Sequence, residues 1–288
     1  MASDGNSVTV FGDLSKPATV LIEKISSAVG ILYEPKRITR KAQAEADARK
    51  IGALADLQLN SDLERRAISR LVHQESRKQK NIEDITAEAV AALPKDAQPH
   101  ELDEDWIAHF FQQCQTVSDK EMQSLWSKLL VTEASQSGSI AKRTVNCVSS
   151  LAKSDAELFT SFCQFHWFNG ILLPVVFDHS EIYTAQRITF SALKHLESLG
   201  LISLESSIVL RRQPSPSAIS YFGQRVMLNY PTSAADLAIG RAIFTQAGRE
   251  LAPICGAQAN PEYFLWVLQR WVDAGISVSS SYPREQQR

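Results

Sequence analysis

The chain has 288 residues, 44% of them hydrophobic, with 30 Lys and Arg against 32 Asp and Glu for a net charge of −2. That length supports two domains with real cores, and the near-neutral balance excludes a global basic field drawing the whole molecule to nucleic acid. Four cysteines, Cys114, Cys147, Cys163 and Cys255, form no Cys-x-x-Cys pair and have no histidine at zinc-finger spacing, which fits a reducing, cytoplasmic setting.

Residues 1–14 carry Gly, Ser and Asp without a sustained period and read as a loose arm. Ser15 is the expected N-cap of a helix with Pro17 in its first turn, and Ala18, Leu21, Ile22, Ile25, Ala28, Val29 and Leu32 recur at helical spacing. Pro35 is expected to break this helix, and the basic run Lys36, Arg37, Arg40 and Lys41 follows at once. The apolar stretch is too short to span a bilayer. Its face (Leu21, Ile25, Val29, Leu32) beside that basic run suits packing in a core or against another subunit. It also suits contact with an anionic membrane surface, and both alternatives stand.

From residue 38 to 93 the composition is that of long helices, parted near Asn60-Ser61-Asp62, so that residues 15–93 form one helical region. Leu63, Ala67, Ile68, Leu71, Ile82, Ile85, Ala89 and Leu93 suggest an apolar stripe, and such helices are expected to pair in a hairpin or with another copy. The charge is uneven. Between residues 36 and 80 there are twelve basic and six acidic side chains, whereas between 81 and 122 there are two basic and ten acidic. Self-association through basic-on-acidic contact is one consequence of such blocks, and two solvated helix faces are the other.

Residues 94–165 read as a compact helical domain. Trp106, Ile107, Phe110 and Phe111 form an apolar cluster, and Ser118 with Glu121 has capping-box spacing. Met122, Leu125, Trp126, Leu129 and Leu130 then make a core face. Helices are expected from Ala141 to about Ala152 and again from Asp155. Cys163 and His166 stand three apart among Phe162, Phe165, Trp167 and Phe168, where core packing is the better reading than a metal site.

Residues 166–275 have the order of a winged helix. Arg187 to Ser198 is the expected recognition helix, with Leu193, Leu196 and Leu199 inward and Gly200 ending it. Residues 202–204 start the sheet, residues 211–217 are the expected wing tip, and residues 219–230 the return strand. Thr245 then caps a helix holding Leu251. Arg187 and Lys194 on the helix, with Arg211, Arg212 and Arg225 reaching from the wing, are the candidate DNA-binding residues. A helix over residues 258–272 is expected to close the core, and residues 276–288 to form a mobile tail. The fold expected is therefore mainly α, an N-terminal helical hairpin or bundle followed by a winged-helix-like α+β domain.

Several phrases occur together: Leu32-Tyr33-Glu34-Pro35-Lys36-Arg37, Gln79-Lys80-Asn81-Ile82, Asp105-Trp106, and Ser118-Asp119 with Met122-Gln123, Leu125-Trp126, Leu129-Leu130 and Glu133. Gly138-Ser139-Ile140, Lys142-Arg143-Thr144 and Asp155-Ala156-Glu157-Leu158-Phe159 complete the set. In combination they resemble the bacterial family catalogued as domain of unknown function 2806, over roughly residues 14–271. The layout of an apolar helix, a proline and a basic helix is more weakly similar to the abortive-infection alpha proteins. The resemblance implies a mostly helical cytoplasmic protein acting in phage defence, and it carries over no catalytic residue.

The inventory of catalytic motifs is empty: there is no Gly-rich phosphate loop, no His-Glu-x-x-His and no Gly-x-Ser-x-Gly. No cofactor or metal is expected, and the acidic run Glu101, Asp103, Glu104 and Asp105 suits solvation. The expected function is a non-enzymatic, self-associating interaction or effector protein. A DNA-binding regulator and a peripheral membrane effector are the alternatives.

Overall fold

A computed structural model describes residues 14–30, 62–177, 180–210, 216–230 and 237–280. The chain divides into two compact units at Val145/Asn146, a division that falls within one helix.

In the first unit, helix α1 spans Lys16–Val29. Ser15 caps it as expected: its Oγ accepts the Ala18 N–H at 3.4 Å. Leu21, Ile22 and Ile25 are buried, and the helix packs on α3 (Glu104–Cys114) and on the short 3-10 turn Pro99–Glu101. Leu21 and Ile25, two candidates for membrane or subunit contact, thus face this unit's own core, while Val29 is half-buried. The stop is Gly30 at φ +69, ahead of the proline where the sequence predicted it, because a left-handed glycine returns its N–H to the Ser26 carbonyl. Leu32, Lys36, Arg37, Arg40 and Lys41 lie outside the described residues.

Helix α2 runs from Asp62 to Ala92. The predicted stripe is split along it. Ile82, Ile85 and Ala89 are buried against α4 (Lys120–Ser135), whereas Leu63 and Leu71 are 68% and 56% exposed. A polar seam fixes the α2–α4 register: Asn81 donates to the Gln115 carbonyl at 2.9 Å, Gln123 to Asn81 Oδ1 at 3.2 Å, and Ser127 to the Ile85 carbonyl at 3.0 Å. Each is a buried polar group with a partner, so the seam locks register without leaving an unsatisfied atom behind.

The cap of α4 is Asp119, whose Oδ1 accepts the Glu121 and Met122 N–H groups at 3.0 Å each. Ser118, the expected cap, instead takes a hydrogen bond from Arg77 Nε at 3.0 Å. A carboxylate one residue later reaches the orphan donors and adds charge at the positive helix end. Trp106, Phe110, Phe111 and Trp126 form the buried aromatic heart as predicted, with Phe110 edge-on to Trp126 at 5.2 Å. Glu133 is buried, and its two oxygens accept the Gly138 and Ile140 N–H groups at 2.7 Å each. It shapes the turn into α5 (Lys142–Ser149).

In the second unit α6 covers Lys153–Cys163, and Asp155 Oδ2 accepts the Ala152 N–H at 2.9 Å. Strands β1 (His166–Phe168) and β2 (Leu172–Pro174), the single-turn helix α7 (Glu181–Thr184), helix α8 (Phe190–Ser198) and strand β3 (Ile202–Leu210) follow. Beyond them come β4 (Ser217–Tyr221), β5 (Gln224–Asn229), β6 (Leu237–Phe244), α9 (Gln246–Leu251), α10 (Pro261–Asp273) and β7 (Ser277–Ser280).

The pairing departs from the sequence reading. The return partner of β3 is β6, with Ile202 opposite Phe244 and Leu204 opposite Ala242. Residues 217–229 form their own hairpin, β4–β5, inside an antiparallel sheet of order β2-β1-β4-β5-β7. The expected mobile tail is in part a strand, since Ser277–Ser280 pairs with β5. Trp167, Tyr221, Tyr263, Phe264 and Trp271 form this unit's aromatic core, as the predicted closing helix required. Val176 crosses to Gly240 of β6 in a parallel bridge, where a Cβ on Gly240 would stand 1.9 Å from the Val176 carbonyl oxygen.

Candidate functional site

The site is built around α8. Thr189 caps it, accepting the Ala192 N–H at 3.2 Å, and Leu193 and Leu196 turn inward. Gly200 ends it at φ +75, as predicted. The helix starts later than expected. Arg187 has φ +63 and lies in the turn between α7 and α8, exposed but off the helix. A left-handed backbone cannot continue into a helical first turn, so Thr189 opens the helix instead.

The charged side chains of α8 are already engaged. Lys194 pairs with Glu197, whose other oxygen accepts the Leu204 N–H at 2.7 Å. His195 Nε2 lies 2.8 Å from Asp155 Oδ1 on α6. Burial pushes the Asp155 carboxyl upward, but the His195 ring and the Ala152 N–H together bring it below its ordinary value. Lys194 holds Glu197 below the usual carboxylate range, aided by the Leu204 N–H.

Arg225 is exposed on β5, opposite Ser220, in the five-stranded sheet rather than in the β3–β6 ribbon that carries α8's neighbour strand. Arg211 and Arg212 lie outside the described residues. Of the proposed DNA contacts, then, Lys194 stands on α8, Arg187 stands before it, and Arg225 belongs to another sheet.

Beside α8 opens a cleft of about 280 Å³. Val176, Phe177, Phe190, Leu193 and Leu204 supply its apolar lining, with Lys194, Glu205, Ser206 and Arg241 completing it. Phe190, at the first turn of α8, is 54% exposed. Phe177 is held from behind by Arg270, whose guanidinium lies 4.9 Å from its ring and 4.9 Å from that of Trp266. Phe177, Phe190, Leu204, Glu205 and Arg241 are not marked as site residues by any motif or spacing in the sequence. They come from four separate segments and meet through the β3–β6 pairing, so no local spacing marks them. The exposed aromatic at the start of an otherwise amphipathic helix was the one available signal.

Among the described residues no three His, Cys, Asp or Glu side chains converge to hold a metal ion. His166 Nδ1 lies 2.5 Å from the Cys163 carbonyl oxygen, and burial lowers the His166 pKa. That contact directs this ring nitrogen to the backbone rather than to the thiol. In the acidic run, Asp103 caps α3, accepting the Trp106 N–H at 2.6 Å. Among the described residues no helix is long and apolar enough to cross a membrane.

Fold and site together define a mainly helical protein with an α+β C-terminal unit and an apolar cleft beside one amphipathic helix. The family described as Protein of unknown function (DUF2806) matches residues 65–267, and the chain belongs to it. No curated protein and no solved structure matches the chain.

Proposed function

We propose that this chain is a non-enzymatic interaction protein whose C-terminal unit is a winged helix that grips a partner protein through the cleft beside α8. The order α6, the Val176 crossing, α7, α8, β3, β6 follows that fold, with the β3–β6 connection enlarged to carry the β4–β5 hairpin. One observation carries the choice of partner. A DNA reader needs unopposed donors aimed at base edges and phosphates, but Lys194 and His195 each stand against a carboxylate, Glu197 and Asp155. The adjoining cleft instead offers apolar walls with a few polar groups at its rim, the chemistry of a pocket for a protein side chain.

The test is panning of a displayed random-peptide library on the intact chain, alongside electrophoretic shift of duplex DNA at low ionic strength. Peptides with a large apolar anchor are expected to enrich on the wild type and to be lost on Phe190→Ser and Arg241→Glu, with no DNA shift. A salt-sensitive shift abolished by Lys194→Glu, with no peptide enriched, would replace this reading by the DNA-binding one.

A second observation supports self-association through the N-terminal unit. Leu63 and Leu71 recur two helical turns apart on α2 and stand 68% and 56% exposed, which suits helix pairing with a second copy. Light scattering is expected to give more than one chain mass for the wild type and one for Leu63→Glu/Leu71→Glu. A wild-type monomer at every concentration would remove this part.

A further inference from the structure

The last turn of α6 meets the segment that follows α9. Thr160 Oγ1 lies 3.1 Å from the Cys255 carbonyl oxygen, joining residues 95 positions apart. Cys163 stands one helical turn beyond Thr160 and so shares its face. There the Cys255 side chain is the neighbour that acts on the Cys163 thiol, while Cys255 Sγ lies 3.2 Å from the Ala252 carbonyl oxygen. Cys163 is fully buried and Cys255 is half-buried. Cys255 lies between α9 and α10, outside any helix or strand. The remaining thiols are placed otherwise: Cys114 is buried in the N-terminal unit, and Cys147 Sγ lies 3.3 Å from the Leu199 carbonyl oxygen.

We propose that Cys163 and Cys255 are a redox modification site, closing to an intramolecular disulfide when the chain meets a peroxide. Hydrogen peroxide oxidises the Cys255 thiol to a sulfenic acid, and one water leaves. The Cys163 sulfur then attacks the Cys255 sulfur, the S–O bond breaks, and the hydroxyl departs with the Cys163 proton as a second water. Two thiols have together given up two electrons and two protons, and the peroxide has become two waters. The order of events follows from exposure. Cys163 is buried away from the oxidant, while the half-exposed Cys255 receives it, and the Cys163 sulfur meets only the sulfenic acid formed beside it. The product would tie the end of α6 to the segment leading into the Asn260 cap of α10.

The experiment treats the intact chain with a small excess of hydrogen peroxide, denatures it with a thiol-blocking reagent, and maps the peptides without reduction. The expected product is a Cys163–Cys255 cross-linked peptide, two hydrogens lighter than its parts, that dithiothreitol separates. Cys255→Ser, checked for an unchanged thermal transition, is expected to abolish the cross-link and leave Cys163 as a free thiol. Cys163→Ala removes the resolving sulfur, so trapping of the Cys255 sulfenic acid by dimedone is expected to rise severalfold. If Cys255 in the wild type stops at a sulfenic or sulfinic acid while Cys163 stays free, the proposal is overturned. A cross-link between chains, or oxidation of Cys147 ahead of Cys255, would overturn it equally.

Discussion

In the N-terminal unit the buried polar ties run across a pair of helices, as along the Asn81–Gln123–Ser127 seam, or within one turn, as at Glu133. In the C-terminal unit the corresponding ties join strands and turns far apart in the chain. Tyr263 Oη lies 2.8 Å from the Val175 carbonyl oxygen and accepts the Trp167 indole N–H at 3.1 Å. Tyr221 Oη accepts the Asn260 N–H at 2.7 Å, and burial pushes its phenol up to about 12. The lesson is that the first unit distributes its order along helices, whereas the second concentrates it at a few backbone crossings.

The largest test of that contrast lies in the helical core. Phe110→Ala is expected to cost about 4 kcal/mol, since it removes a fully buried ring packed edge-on against Trp126. Hydrogen exchange should rise throughout α3 and α4, and a loss of protection confined to the mutated turn would contradict a core shared along both helices. Gly240→Ala probes the other unit at one backbone crossing. The new Cβ meets a carbonyl at 1.9 Å in a backbone with φ +120, a combination expected to cost about 3 kcal/mol and to expose β3 and β6 together. An unchanged melting temperature would mean that the Val176 crossing is not needed.

Smaller effects sharpen the comparison. Asp119→Ala is expected to lose about 1 kcal/mol as the cap of α4, against a few tenths for Ser118→Ala, read by chemical denaturation. Equal losses would return the cap to Ser118. The Asp155–His195 pair is the smallest of the four. Because the folded Asp155 carboxyl lies below its ordinary value, its contribution is present above the ordinary carboxylate range and is lost as pH falls through the depressed value. His195 is half-exposed, so the pair is worth only about 0.5 kcal/mol, and His195→Ala should flatten that part of the acid profile. An acid profile identical in wild type and variant would show that the pair contributes nothing.

The cleft was less legible than the fold. Lys194 and Leu193 could be placed on an amphipathic helix from spacing alone, but their neighbours Leu204 and Arg241 become partners only when β3 finds β6. The exposure of Leu63 and Leu71 was hidden for a related reason: an apolar residue at helical phase marks a face, and burial requires an element to cover it.

What the sequence by itself determined were the interactions that close within three or four residues. Ser15 and Thr245 open their helices as read, Gly200 closes α8, and Met122, Trp126, Leu129 and Leu130 turn one side of α4 into core. The tertiary structure decided which strand pairs with which. An extended segment looks alike to every possible neighbour, so the choice of β6 over residues 219–230 was made by what each brings into register. Gly240 sits under Val176, and Gly248 lies so close to Leu201 that a Cβ would stand 2.0 Å from its carbonyl oxygen. These close approaches join distant segments, and a residue's chain neighbours carry no record of them.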